Sequence, residues 1–138
     1  MTTKQIRMLM YLSFVSGSVV AEMEWDNEHY VKGEELALCS GFAKFLYHNP
    51  EDLEKSNLNL NHTAGKYLAL SYRSMRAYYS EAKGYDTEKA SRFAWREAAR
   101  LQGYQHGYSA AVEAHEDKKT AVGIAVMQLN NCLTKYGS

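Results

Sequence analysis

The chain is poor in the residues that usually announce chemistry. Its 138 residues include one proline and two cysteines, and neither charge is in surplus, with 16 basic against 16 acidic side chains. The lone Pro50 excludes a proline-rich stalk and leaves long helices uninterrupted. Cys39 and Cys132 form no CxxC motif and no paired Cys/His spacing, so neither zinc, haem attachment nor thioredoxin-type redox work is supported. Balanced charge gives no support to a polyanion partner or to a nucleic-acid mimic. No apolar run is long enough to span a bilayer, so no permanent membrane anchor is expected. GxSxG, HExxH and Rossmann glycine patterns are also missing. Gly65-Lys66 is not a P-loop, because Tyr67 stands where Ser or Thr is required.

What is present starts with an uncharged stretch. Lys4 and Arg7 precede fourteen uncharged residues, Met8 to Ala21, which are followed by the acidic Glu22-Met23-Glu24. A cationic start, an apolar segment of this length and small residues before an acidic one are the layout of an export signal. Ser16-Gly17-Ser18 is poor helix material and would break the apolar helix before a cut after Ala21. The alternative is a retained first helix from about Thr3 to Glu24, since Met8, Leu12, Val15, Val19 and Met23 recur at helical spacing. Ile6, Met10 and Phe14 would make that helix apolar nearly all round. The export reading is preferred, which makes residues 1–21 a signal peptide and 22–138 a single helical domain, periplasmic or secreted. Losing Lys4 and Arg7 would leave 14 basic against 16 acidic side chains, a net charge of −2.

Export also decides the cysteines. In an oxidising compartment a distant pair reads as one disulfide. Cys39–Cys132 would close a loop of about 94 residues, worth on the order of 4–5 kcal/mol by chain entropy. In a cytoplasmic protein the same residues would be two small buried thiols.

Four helical segments follow. The first runs from about Asn27 to His48, with Val31, Leu38, Phe42, Phe45 and Leu46 as its apolar stripe, and stops at Asn49-Pro50. A polar connection of residues 51–61 leads to a second helix, about Thr63 to Lys83, ended near Gly84. Asp86 or Thr87 caps the third, about Glu88 to Glu116, whose inward stripe is expected to be Ala90, Phe93, Ala94, Leu101, Tyr104, Tyr108, Ala111 and Val112. The fourth, about Thr120 to Lys135, buries Val122, Val126, Leu129 and Leu133. Short connections predict an all-α, up-and-down four-helix bundle, or five helices with the N-terminal segment retained.

Two acids fall on apolar faces, Glu35 on the first helix and Glu97 on the third. Facing buried carboxylates can hold a metal or serve as an acid/base pair. A di-iron site would add Glu-x-x-His motifs, which the chain lacks, so no metal or other cofactor is expected, and each acid more simply bonds a tyrosine hydroxyl or an arginine. The five histidines have no ligand spacing and read as structural, and no catalytic residue is identified. Arg92, Arg96 and Arg100 form a basic row on the third helix with Trp95 beside it, while Lys66, Arg73 and Arg76 make a second basic area on the second. A solvated face is the plainer reading of a charge row, but an outward tryptophan marks an interaction surface. Gly103, Gly107 and Ala111 repeat every four residues inside the third helix, where glycine is costly. Such small residues imply that another helix or a partner comes close.

These features point to a non-enzymatic, adaptor- or inhibitor-type protein. It is expected to bind a protein partner, or itself, through the helix at 88–116, with Arg92, Trp95, Arg96, Arg100, Gly103 and Gly107 as the contact surface. The competing reading is a cytoplasmic inhibitor or nucleic-acid accessory protein that keeps residues 1–21.

Overall fold

In a computed structural model the described residues are 26–49 and 59–137; they form four α-helices and no strand. α1 spans Glu28–Tyr47, α2 Leu60–Glu81, α3 Thr87–His115 and α4 Lys118–Tyr136. The leader-like segment 1–21, and with it the choice between four helices and five, lies outside the described residues.

Each helix starts where a short polar side chain takes up amides that the first turn leaves without a partner. The Oδ1 of Asn27 accepts from the amides of His29 and Tyr30, Asn59 from His62, Asp86 from Lys89 and Asp117 from Thr120. Asn59 explains why α2 begins at Leu60, three residues before the expected Thr63, and Leu60 then packs against the core. Gly84, at φ +68°, turns the chain between α2 and α3, and the Tyr85 amide bonds back to the Tyr79 carbonyl. Only Glu116 and Asp117 separate α3 from α4.

The topology is the up-and-down four-helix bundle that short connections require. Its cross-section is a rhombus. α1 and α3 each touch all three other helices and lie on the short diagonal, while α2 and α4 occupy the far corners. The short diagonal is set at Gly41. A Cβ there would lie 2.6 Å from the Gln105 Cβ and 2.7 Å from the Gln102 carbonyl oxygen, so only glycine admits this approach. Gly33 performs a milder version of the same task on α2, where a Cβ would meet the flexible Met75 side chain at 2.9 Å.

Two apolar clusters fill the bundle. One joins Leu36, Cys39, Phe45, Leu46 and Tyr67 to Val122, Ala125, Leu129 and Cys132. The other gathers Tyr30, Met75, Tyr78 and Tyr79 against Ala90, Ala94 and Leu101. Buried serine hydroxyls find partners across helices: Ser40 donates to Ala64 O, Ser71 to Gly33 O and Ser74 to His29 O, while Gln102 donates to the Ser40 hydroxyl. Such bonds satisfy groups that would otherwise be stranded away from water.

Helix existence and order follow the periodicity, but two expected faces need correction. α1 has no single stripe: it is buried on most of its circumference because three helices surround it, and Val31, Leu38 and Phe42 are only half-buried. α3 faces inward through Ala90, Ala94, Ala98, Leu101, Gln105 and Ser109, not through Tyr104, Tyr108 and Ala111, which are exposed. The close α1–α3 approach requires small inward residues, and large rings do not fit there.

The Cys39 and Cys132 sulfurs are bonded, with Cα atoms 6.0 Å apart, fastening α4 to the central helix. Replacing both by alanine is expected to lower unfolding free energy by about 4 kcal/mol, measured by denaturant titration; an unchanged midpoint would show that the bridge adds nothing. Gly41→Ala should cost about 1–3 kcal/mol by overpacking in the same assay, whereas a neutral result would contradict the tight short diagonal.

Candidate functional site: the outer surface of α3

Residues of α3 that turn away from α1 divide into two faces. One carries Gly103, Tyr104, Gly107 and Tyr108. Tyr104 and Tyr108 are 58% and 57% exposed. A Cβ added at Gly103 or Gly107 would meet nothing within 4 Å, so no other part of the described chain approaches them. Ala99, Ala110, Ala111 and Ala114 are also exposed, which makes this flank smooth between its two rings. The expected close contact at Gly103 and Gly107 is therefore not supplied from within the described residues.

The second face lies at the seam with α2. Trp95, 46% exposed, stacks on Tyr72 with ring centroids 4.2 Å apart and planes 15° from parallel. Arg76 sits over the other ring of the pair, its guanidinium carbon 5.4 Å from the Tyr72 centroid. A hydrogen bond from Ser91, reinforced by Arg76 nearby, holds the Tyr72 hydroxyl below the usual phenol pKa. Farther along, Lys89 lies over Tyr85 at 4.0 Å and Arg96 over Phe93 at 5.4 Å. The basic row is thus split. Arg92 and Arg96 are exposed and have no carboxylate partner among the described residues. Arg100 instead binds the Glu97 carboxylate through Nε, which keeps its guanidinium charged.

Neither acid singled out by periodicity forms part of a paired-carboxylate centre. Glu35 is not buried: its side chain is 42% exposed and accepts from Lys135 Nζ at 2.8 and 3.0 Å, because that edge of α1 faces the end of α4. The buried acid of α1 is its neighbour, Glu34. Glu97 is mostly enclosed, its side chain 14% exposed, and accepts from the Tyr30 hydroxyl at 3.0 Å as well as from Arg100. No group of three or more His, Cys, Asp or Glu with metal-binding geometry occurs among the described residues.

Sequence reasoning missed Tyr72, whose contact with Trp95 depends on how α2 and α3 register. It also placed Tyr104 and Tyr108 indoors, because ring size ordinarily tracks burial. The spacing did hold one signal: Gly103 and Gly107, and likewise Tyr104 and Tyr108, are four residues apart, so each pair forms its own row along the helix.

Another arrangement gathers at the C-terminal end of α1. The His106 ring stands 5.5 Å from that of His48 and 6.3 Å from Phe45. Burial first, then the Lys44 charge and His48, push the His106 pKa below the ordinary histidine value.

Comparison with known proteins gave no match: no family model fits the chain, and no curated protein or solved structure is similar to it. No helix among the described residues is long and apolar enough to cross a membrane.

Because the folded state resists protonating His106, the unfolded chain binds the extra proton more readily. Its contribution is present above the ordinary histidine pKa of 6.5 and is lost as pH falls below it. Acidification from neutral pH should therefore lower the melting temperature, and His106→Gln should flatten that dependence. An NMR titration placing His106 at or above the ordinary value would contradict this account.

Proposed function

We propose that the protein is an exported binding module that engages another protein through the Gly103–Tyr108 flank of α3. The supporting observation is the pair of interior helix glycines facing open space between exposed tyrosines. Each glycine costs the helix about 1 kcal/mol relative to alanine, and no contact among the described residues offsets that cost. Smooth small residues let a partner backbone approach, and tyrosine supplies contact area at low entropic cost. The half-exposed Trp95 and the arginines Arg92 and Arg96 border this flank and extend the surface toward α2.

Export is supported by the Lys4–Ala21 pattern and by the Cys39–Cys132 bridge, a bond that persists in oxidising compartments. Arg100 belongs to the surface only in part, since its bond to Glu97 also steadies Tyr30.

A photo-crosslinking residue at position 107, introduced in the native host, is expected to trap one discrete adduct, while the same residue at Gly65, also open, traps none. Gly107→Ala should raise stability by about 1 kcal/mol, and Gly107→Leu should remove the partner without lowering the melting temperature. Undiminished partner recovery with leucine at this position would refute the surface. Intact mass of the host protein, short by residues 1–21 and two hydrogens, checks the compartment; retention of those residues would refute export.

A further inference from the structure

The α2–α3 seam carries a feature that the Gly103–Tyr108 flank does not explain. Arg73 and Arg76 on α2 and Arg92 and Arg96 on α3 are exposed, and none is paired with a carboxylate among the described residues. Elsewhere Arg100 holds Glu97, Lys135 holds Glu35 and His29 lies 2.9 Å from Glu81, while lysines such as Lys32 and Lys119 likewise form no ion pair among the described residues but stand apart from one another. In a chain with equal numbers of acidic and basic side chains, four arginines without carboxylates on one seam are a local surplus. They lie within about one helical turn of Trp95 or Tyr72 along α2 and α3, and the Arg76 guanidinium carbon is 5.4 Å from the Tyr72 ring of the stack.

We propose that this seam binds an acidic peptide segment of a partner protein, its carboxylates taken by Arg76 and Arg92 and a flat or apolar side chain laid on Trp95. Guanidinium groups pair with carboxylates through two parallel hydrogen bonds, which lysine cannot reproduce. An exposed tryptophan already immobilised by stacking loses little entropy on binding, and tryptophan with arginine is the composition of interface hot spots. A long polyanion would need basic side chains well beyond this seam, whereas the sixteen basic side chains of the chain are matched by sixteen acidic ones. The seam adjoins the Gly103–Tyr108 flank and extends the surface proposed above toward α2, and variants in each part let either fail without the other.

The test uses the full chain and an array of short synthetic peptides in which Asp and Glu are set against Asn and Gln, with oligothymidylate as a second probe. Acidic peptides should be retained over their amide counterparts, and the preference should weaken as salt is raised. Arg76→Glu and Arg92→Glu should each reduce binding about 10- to 100-fold, the range expected for losing a charge-assisted hydrogen-bonded contact. Trp95→Ala should lower binding to acidic peptides while the preference for acid over amide remains. Gly107→Leu should leave peptide binding unchanged, which separates this surface from the other. Because the two arginines make no ion pairs within the described fold, unchanged circular-dichroism melting will show that these variants fold. Equal retention of acidic and amide peptides, indifference to Arg76→Glu and Arg92→Glu, or capture of oligothymidylate alone would each overturn the proposal.

Discussion

The bundle depends on how closely α1 and α3 approach at Gly41. There the α1 backbone lies directly against Gln102 and Gln105, with no room for a methyl group. This contact places α1 at the centre and leaves it buried on nearly every side. It also dictates the inward face of α3, where Ala90, Ala94, Ala98 and Ser109 keep the helices close. The larger rings of α3 are displaced to its flanks as a consequence. The exposed aromatic flank of α3 is thus a by-product of a constraint inside the core.

α4 is held by a different kind of force. Its apolar contribution is modest, consisting mainly of Val122, Leu129 and two alanines. Three further attachments converge on its last turns: the Cys39–Cys132 bond, the Lys135–Glu35 ion pair and the Tyr67 hydroxyl donating 2.6 Å to the Gly137 carbonyl. The ion pair is exposed and contributes little. The covalent link matters most, since it closes a long loop and holds α4 to α1 even when packing fluctuates. Redox compartment and fold are therefore coupled in this chain: a reducing environment would weaken the helix with the least core of its own.

Helix number, order and ends were legible because they are local properties. Asn27, Asp86 and Asp117 cap the helices they precede, and the period of apolar residues marks each span. Faces were less legible. A helix surrounded by others has no polar side to define its orientation, so the sequence favoured Val31 and Leu38 on α1 when Leu36, Ala37 and Ser40 are the deeper residues. The same error of phase exchanged Glu35 for Glu34. On α3 the assumption that large rings lie inside failed for Tyr104 and Tyr108, where proximity of backbones outranked apolar area. The Glu97–Tyr30 bond was anticipated as a type of contact, although its partner lies 67 residues away and could not be named from spacing.

Four glycines on two helices show why residue type alone does not reveal purpose. Gly33 and Gly41 are enclosed, and added atoms there would strike Met75 or the α3 backbone. Gly103 and Gly107 stand in open space at the same spacing logic and with the same helix penalty. In α1 the penalty is offset by close packing within the fold. In α3 nothing inside the described chain offsets it, and alanine would make the helix more stable at both positions. Gly65 on α2 and Gly123 on α4 are open in the same way, so openness alone names no contact, and what sets the α3 pair apart is the exposed tyrosines beside it. Those rings leave apolar surface in water, and covering them would remove it.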